Sequence, residues 1–284
     1  MNRISAVINT RNEESNLGYC LDCLRWCDEI VVVDMGSQDR TIEIARRFTD
    51  RVFSVPQYGY VEPARRFAVE QAQGDWVLLL DADESIPRTL AQELRRLSER
   101  DDLDAVRIPT RQLILGVWMQ HGGWWPQYHV RFFRKAAVNF SDRIHDSNYP
   151  KASARSITLP PREELAIHHF AHQDSTQFIE KLNRYTSIEA RQLFEAGSPS
   201  SPTAALRSFF REFWFRYVSW RGFRDGLHGL QIALLMATYR MVLQMKLWEL
   251  RDNRRDDIPG RYDDMRARLV AEHAALPPAP PSER

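Results

Sequence analysis

Apolar and polar positions follow two alternating periods along the first part of the chain. Short apolar runs predict four strands, at residues 4–8, 29–33, 51–55 and 75–80. Apolar residues at helical spacing lie between these runs and predict three helices, at residues 14–26, 39–48 and 62–73. A β-α-β-α-β-α-β order is typical of an α/β protein with a mostly parallel, Rossmann-like sheet. In such sheets, ligands bind at the carboxyl ends of the strands.

Three acidic residues follow the fourth predicted strand, in the stretch "LLLDADES". In an extended segment residues i and i+2 point the same way, so we expect Asp81 and Asp83 to project into one space. Carboxylates this close repel each other unless a cation lies between them, which indicates Mg²⁺ or Mn²⁺ and a phosphate-bearing substrate. The alternative is an acidic helix start, with Ser85 or Asp83 as the cap before Pro87.

Composition and missing motifs exclude several classes of protein. The 39 basic and 38 acidic residues leave a net charge of +1, which gives no support for a nucleic-acid partner. The turn "NTRNEE" after the first strand contains no glycine, which argues against a Rossmann dehydrogenase, and no P-loop motif occurs. The N-terminal apolar run is too short for a signal peptide, so we expect a cytoplasmic protein.

Several longer motifs occur in a fixed order along the chain. They are "ISAVINTRNEESNLGYCLDCLRWCDEIVVVDMGSQDRTIEIA", "PARRFAVEQAQGDWVLLLDADE", "HGGWWPQYHVRFFRK", "HDSN" and "HHFAHQDSTQFIEKLNRY". Over residues 1–250 they resemble the family 2 glycosyltransferases, in particular the lipopolysaccharide-core glucosyltransferase type. The resemblance implies a GT-A fold, a divalent cation, and transfer of a hexose such as glucose from a nucleotide-diphosphate sugar with inversion at the anomeric carbon. The acceptor it implies is a hydroxyl of a lipid-linked or lipopolysaccharide-core saccharide.

The resemblance also implies roles for single residues on the donor side. Thr10, Asn12 and Glu13 match the loop that lies along the nucleotide, and Asp34 matches the acid that reads the base. Arg65 matches an arginine that faces the diphosphate, where a planar guanidinium suits phosphate oxygens. The next position is usually asparagine in the family and is Arg66 here, a departure from the family pattern that concerns the local pocket and the donor preference.

The metal site is predicted on the same basis. Asp81 is expected towards the ribose and the metal, and Asp83 as a direct metal ligand. His169 matches the family histidine ahead of the "LNRY" helix and would complete the coordination, with His168 as the alternative register.

The second half of the chain should supply the acceptor site and the base. Aromatic faces stack on the C–H faces of sugars, so Trp124 and Trp125 are candidate acceptor-binding residues, with core packing as the alternative. A strand is predicted after them, at residues 128–133. Asp146 in "RIHDSN" matches the acid that takes the proton of the acceptor hydroxyl; Asp142 and a structural helix cap are the alternatives.

The C-terminal region is basic and rich in aromatic residues. Residues 203–251 carry eight Lys and Arg against three Asp and Glu, interleaved with Phe, Trp and Tyr. Their longest uncharged run, 226–239, is shorter than the roughly 20 residues that span a bilayer, so we expect a helical segment lying on an anionic membrane surface. Packing of two copies through these helices is the alternative. The tail ends in "LPPAPPSER", which indicates disorder.

These patterns predict four regions. They are a nucleotide-sugar-binding half (1–110), an acceptor-binding and catalytic half (111–172), an amphipathic helical region (173–256) and a disordered tail (257–284). The predicted function is metal-dependent inverting sugar transfer, by a protein bound peripherally to the inner face of the cytoplasmic membrane. A non-catalytic nucleotide-sugar-binding scaffold on the same fold is the alternative. A nucleotidyltransferase is disfavoured, because the first loop has neither a glycine-rich turn nor a lysine.

Overall fold

The structure is a computed structural model that describes residues 1–58, 60–140, 149–252 and 258–274. The strands are β1 (Ile4–Thr10), β2 (Glu29–Asp34), β3 (Val52–Ser54), β4 (Trp76–Asp81), β5 (Glu84–Ser85), β6 (Ala105–Ile114), β7 (Val117–Trp118), β8 (Gln127–Arg134), β9 (Val138–Asn139), β10 (Tyr149–Pro150), β11 (Ser156–Thr158) and β12 (Ile167–Phe170). The α-helices are α1 (Leu17–Asp22), α2 (Thr41–Ala45), α3 (Glu62–Gln71), α4 (Arg88–Ser98), α5 (Ser175–Glu195), α6 (Pro202–Phe213), α7 (Gly226–Arg251) and α8 (Ile258–Ala274).

The main sheet is mixed, with strand order β3-β2-β1-β4-β8-β6-β12-β5. Its first four strands are parallel, as the alternating pattern predicts. Strand β8 then runs antiparallel to both β4 and β6, and β12 runs parallel to β6. The α/β class is therefore confirmed, and the expectation of a mostly parallel sheet holds only for the N-terminal half.

Helices cover both faces of the parallel part of the sheet. On one face, Leu78 and Leu80 of β4 belong to a buried cluster that includes residues of α1 and α4. On the other face, Val77 and Leu79 belong to a second cluster that includes Ala68 of α3. A strand that is buried on both faces reads as a continuous apolar run, which is why β4 stands out in the sequence.

The C-terminal helices form a separate apolar cluster beside the sheet. Phe178 and Leu182 of α5 pack with Tyr239, Leu243 and Leu247 of α7. None of the helices within the described ranges combines the length and hydrophobicity that a bilayer crossing requires.

Helix α8 corrects the prediction of a disordered tail for part of its length. The described residues of this segment form a helix at Ile258–Ala274. The prolines that indicate disorder all lie after residue 276, apart from Pro259 near the start of the helix, where proline is tolerated. An ion pair at i,i+3 spacing, Asp263 with Arg266, lies on the surface of the helix.

Candidate functional site

A cavity of about 310 Å³ lies at the carboxyl ends of the parallel strands. We call it the strand-end cavity. Thr10 and Arg11 at the end of β1, Met35 after β2 and Gln57 after β3 line one side of it. The turn after β4, the end of β12 and helix α5 line the other side. This is the position at which open α/β sheets bind their ligands.

A second cavity, of about 320 Å³, adjoins the first. We call it the arginine cavity because Arg65 of α3 and Arg131 of β8 both line it. Asp81, His169 and Lys181 line both cavities and so mark where the two meet. The two cavities together form a cleft that crosses the end of β4.

Asp81 lies at the centre of a buried network of charges. Its carboxylate accepts hydrogen bonds from Nη2 of Arg65 at 3.0 Å and from Nη2 of Arg131 at 3.0 Å. Arg131 Nη2 also donates to Oε1 of Glu84 at 2.8 Å, and Glu84 Oε2 accepts from the backbone N–H of Asp81 at 2.9 Å. Burial alone would raise the pKa of Asp81, but the two guanidinium groups hold it well below its usual range. Asp81 is therefore a fixed negative charge at the end of β4.

Asp83 and His169 form a separate pair within the strand-end cavity. His169 Nε2 lies 3.2 Å from Oδ2 of Asp83, and the backbone N–H of Phe170 donates to the Asp83 carbonyl at 2.9 Å. Strand β4 ends at Asp81 and the chain turns at Ala82 and Asp83, so the expectation that this segment is extended is wrong. The turn and its attachment to β12, rather than strand alternation, bring Asp83 into the same cavity as Asp81.

The Asp83–His169 pair fits part of the coordination of a divalent cation. An octahedral Mg²⁺ holds its ligands at about 2.0–2.1 Å, so neighbouring ligand atoms lie about 3 Å apart. The contacts of the Asp81 carboxylate are with the two arginines instead. Within the residues that the structure describes, no three His, Cys, Asp or Glu side chains come together as a metal site. The donor set is thus one carboxylate and one imidazole, which suits a metal that takes its other ligands from water and substrate phosphates.

The residues predicted to lie along the nucleotide separate into two groups. Thr10 and Glu13 line the strand-end cavity. Burial raises the pKa of Glu13 to about 7, and the neighbouring carboxylate of Asp83 adds to this effect.

Asn12 and Asp34 instead hold the two loops together and do not line the cavity. Asn12 has a φ of 53°, receives the N–H of Gln38 on Oδ1 at 2.8 Å and donates its own N–H to Ser37 Oγ at 2.8 Å. The carboxylate of Asp34 is buried and accepts from the backbone N–H groups of Gly36 and Ser37 at 2.9 and 3.0 Å. The structure therefore shows these two side chains shaping the loops after β1 and β2.

The two candidate acceptor tryptophans lie in different surroundings. Trp124 lines the arginine cavity, and the guanidinium of Arg216 lies 4.9 Å from its ring centroid. Trp125 packs edge-to-face on Trp118 with ring centroids 5.5 Å apart. The two rings thus contact different side chains. Asp146 and its alternative Asp142 lie outside the described residues.

A third cavity, of about 660 Å³, lies beside Asp83. Two exposed aromatic residues flank it, Tyr19 at 75% and Phe170 at 49% relative exposure. It shares Asp83 and His172 with the strand-end cavity, so a ligand bound here lies next to the contents of that cavity.

Sequence reasoning missed Arg131 and Lys181. Arg131 lies between Val130 and Phe132, in the apolar part of β8, and a charge at such a position is a detectable signal. Lys181 is one of several charges on α5, and nothing in the sequence distinguishes it from a solvent-exposed lysine. Burial lowers the pKa of Lys181, but the interactions with Tyr185, Asp83 and Asp81 outweigh it and raise the pKa, so Lys181 lines both the strand-end and arginine cavities as a cation.

Comparisons with known proteins identify relatives over most of the chain. The lipopolysaccharide core biosynthesis glycosyltransferase LpsC of Rhizobium meliloti is 27% identical over 87% of this chain and 92% of the relative. An uncharacterized glycosyltransferase of Rickettsia typhi is 27% identical over 88% of each chain. Among solved structures, S. aureus TarS is 16% identical with a TM-score of 0.46, over 84% of this chain and 55% of that one.

The model of glycosyl transferase family 2 matches residues 5–152, which include β1 except Ile4, strands β2 to β4, the Asp81–Asp83 turn and all of β8. The matched segment contributes most of the strand-end cavity. The mixed α/β sheet with C-terminal helices is the GT-A-like arrangement that this family implies. The chain therefore belongs to glycosyl transferase family 2.

Proposed function

We propose that this glycosyltransferase moves a hexose from a nucleotide-diphosphate sugar to a saccharide hydroxyl of a lipid-linked or lipopolysaccharide-core acceptor, with inversion at the anomeric carbon. The observation that carries the donor side is the strand-end cavity, where Asp83 and His169 face Lys181 and the loop after β1. The similarity to LpsC supports the class of acceptor.

The donor nucleotide would lie along the ends of β1, β2 and β3, in contact with Thr10 and Glu13. Asp83 and His169 would hold Mg²⁺ or Mn²⁺, which supplies stabilisation of the charge that develops on the leaving diphosphate. Lys181 lies in the same cavity and contributes a second positive charge. Arg65 is held beside the strand-end cavity by its ion pair with Asp81. We propose that its positive charge acts on two groups, the Asp81 carboxylate and the donor diphosphate.

The acceptor hydroxyl must lose its proton as it attacks the anomeric carbon from the face opposite the diphosphate. We propose Asp146 as the base, on the sequence match alone. Trp124 and Trp125 remain the predicted acceptor-binding residues. Tyr19 and Phe170 add exposed aromatic faces beside Asp83, of the kind that stack on sugar rings.

Calorimetric titration of the purified protein tests the donor side of this proposal. The ligands are UDP, UDP-glucose, UDP-galactose and UDP-N-acetylglucosamine, each with and without Mn²⁺. We expect one UDP-sugar to bind in a Mn²⁺-dependent manner, because Asp83 and His169 supply only part of a coordination shell and the diphosphate supplies the rest. Failure of a folded protein to bind any of these nucleotides would contradict the proposal. Binding with no transfer to core oligosaccharide would favour the scaffold alternative.

A second part of the proposal concerns the membrane. Helix α6 and the residues after it carry a run of exposed aromatic and basic side chains, which we call the basic aromatic surface. It contains Arg207, Phe210, Arg211, Trp214, Phe215, Trp220, Arg221, Phe223 and Arg224. Exposed aromatic rings next to arginines suit the interface of an anionic bilayer, where each basic residue contributes about 1 kcal/mol. We propose that this surface holds the enzyme on the cytoplasmic face of the membrane that carries its acceptor.

Vesicle flotation measures this interaction. Changing Arg207, Arg211, Arg221 and Arg224 together to glutamine should weaken binding to vesicles containing phosphatidylglycerol by roughly fivefold per residue, because each loses its attraction to the anionic headgroups. The matched control changes four exposed arginines of the sheet domain, Arg25, Arg46, Arg47 and Arg96, to glutamine. Equal loss in both variants, or no loss in the first, would contradict a specific membrane surface. A concentration-dependent dimer without vesicle binding would favour pairing of two copies.

A further inference from the structure

The loop between β7 and β8, residues 119–126, is bonded to the connection between α6 and α7, residues 214–225. The backbone N–H of Gly122 donates to the carbonyl of Trp220 at 2.9 Å. The carbonyl of Gly122 in turn accepts from Nη1 of Arg216 at 3.1 Å. Gly122 and Arg216 lie 94 residues apart in the chain, so tertiary contacts fix the course of this loop.

The residues on either side of Gly122 strengthen this attachment. The backbone N–H of His121 donates to Oδ2 of Asp225 at 2.8 Å, and Nδ1 of the His121 ring lies 2.7 Å from Oδ1 of the same carboxylate. Gly123 lies so close to the Trp220 ring that a Cβ atom at this position would be 2.6 Å from Cε3. Gly123 also has a φ of 80°, which glycine adopts without strain. Three consecutive residues therefore attach the loop.

The Arg216 guanidinium contacts two tryptophan rings. Its central carbon is 4.9 Å from the ring centroid of Trp124 and 5.8 Å from that of Trp220, within the range of cation–π contacts. The side chain is 13% exposed, and its Nε donates to Oε1 of Glu212 at 2.6 Å. Trp124 lines the arginine cavity, whereas Trp220 is 48% exposed and belongs to the basic aromatic surface. One largely buried cation thus contacts a ring of the cleft and a ring of the surface assigned to the membrane.

We propose that Arg216 and Trp220 are positioning residues for the acceptor, because they hold the loop between β7 and β8 and thereby orient the Trp124 ring towards the cleft. This inference rests on the proposed function, in which Trp124 binds the acceptor saccharide. Surface loops are ordinarily mobile, and a binding ring that is ordered in advance saves the entropy of ordering it when the ligand arrives. Trp220 serves two purposes, since its ring also belongs to the surface that faces the membrane.

Steady-state kinetics with a soluble core oligosaccharide, in the absence of vesicles, tests the role of Arg216. Arg216→Met keeps an apolar stem but removes the donor to Gly122 and the cation beside Trp124. We expect the acceptor KM to rise about tenfold, the scale of one lost charged hydrogen bond, with kcat and the donor affinity within about twofold of the wild type. The matched control is Arg240→Met, which also loses an ion pair with Glu212 and should leave the acceptor KM unchanged.

A double-mutant cycle with Trp124→Ala distinguishes positioning from a general structural role. If Arg216 acts through the Trp124 ring, Arg216→Met should add no further rise in the acceptor KM once that ring is absent. Additive effects on KM would show that Arg216 acts elsewhere and would overturn the proposal. An equal loss of kcat and of donor affinity in the Arg216 variant would also overturn it, because such a loss indicates a disturbed fold.

Trp220→Ala decides the question if Arg216→Met does not fold. This change should raise the acceptor KM about fivefold in the absence of any membrane, because the loop loses the ring against which Gly123 packs. Trp214→Ala is the matched control. It removes a ring of the same surface that is 60% exposed, and should weaken vesicle binding without changing this KM. An unchanged KM in the Trp220 variant would overturn the inference.

The Trp124→Ala variant separates failure of this inference from failure of the proposed function. A raised acceptor KM in this variant, with wild-type values in the Arg216 and Trp220 variants, would overturn only the positioning role. An unchanged KM in Trp124→Ala would overturn the acceptor role of Trp124 and the inference with it. A wild-type protein that transfers no sugar would overturn the proposed function itself, and with it the positioning role.

Discussion

The Asp83→Ala variant should lose Mn²⁺-dependent donor binding by more than about 100-fold, a larger effect than the 10–100-fold typical of residues that only support a metal ligand. The reason is geometric. Asp83 and His169 are the proposed metal ligands, with Oδ2 and Nε2 3.2 Å apart in the strand-end cavity, and removal of one would leave a single protein ligand. Titration with the preferred UDP-sugar, with and without Mn²⁺, measures the effect.

Two further variants make this result specific. Asp83→Asn keeps the size of the side chain and can still hydrogen-bond His169, so it should fold like the wild type and still lose the Mn²⁺ dependence. Asp102→Ala removes an exposed acid whose partner is Arg100, far along the chain from the cavity, and should bind the donor normally. Unchanged Mn²⁺ dependence in both Asp83 variants would remove the metal site from this position.

The fold was predictable where burial dominates the sequence. Strands β1, β2 and β4 are buried almost throughout, so each appears as a continuous apolar run, and the helices between them show the spacing of one covered face. The mixed half of the sheet was not predictable in the same way. The place of β8 between β4 and β6 depends on pairing between segments distant in the chain, which periodicity does not encode.

The candidate site was predictable as a location but not as a set of contacts. Asp34 ends β2, Asp83 lies in the turn after β4, and both carry the same functional group. The backbone N–H groups of Gly36 and Ser37 donate to the Asp34 carboxylate. The Asp83 carboxylate instead contacts the His169 ring. Turn geometry makes this difference, and residue type does not reveal it.

Arg131 and Lys181 show a second limit of sequence reasoning. A β-bulge redirects Arg131, and its signature is a register shift against β6. Lys181 reaches the cavities because α5 crosses the end of the sheet, about a hundred residues along the chain from Asp81. Both positions arise from tertiary structure, so no motif specifies the contacts of either residue, although the charge within the apolar part of β8 marks Arg131.

The Asp146→Asn variant should bind the donor normally and transfer its sugar roughly 10²–10⁴-fold more slowly, which is the usual contribution of a general base. Asparagine keeps the shape of the side chain but does not accept a proton at neutral pH. Donor titration and the turnover rate with a core oligosaccharide acceptor, measured on the same preparation, separate binding from chemistry.

The matched control for this experiment is Asp142→Asn, four residues earlier in the same segment. If Asp146 is the base, the Asp142 variant should retain most of its turnover, because its carboxylate takes no part in proton transfer. The reverse result, a slow Asp142 variant and an active Asp146 variant, would move the base to Asp142. Normal turnover in both variants would place the base outside this segment. Glu13 would then be the acid to test, since it lies in the strand-end cavity and burial raises its pKa to about 7, close to the pH at which a base works best.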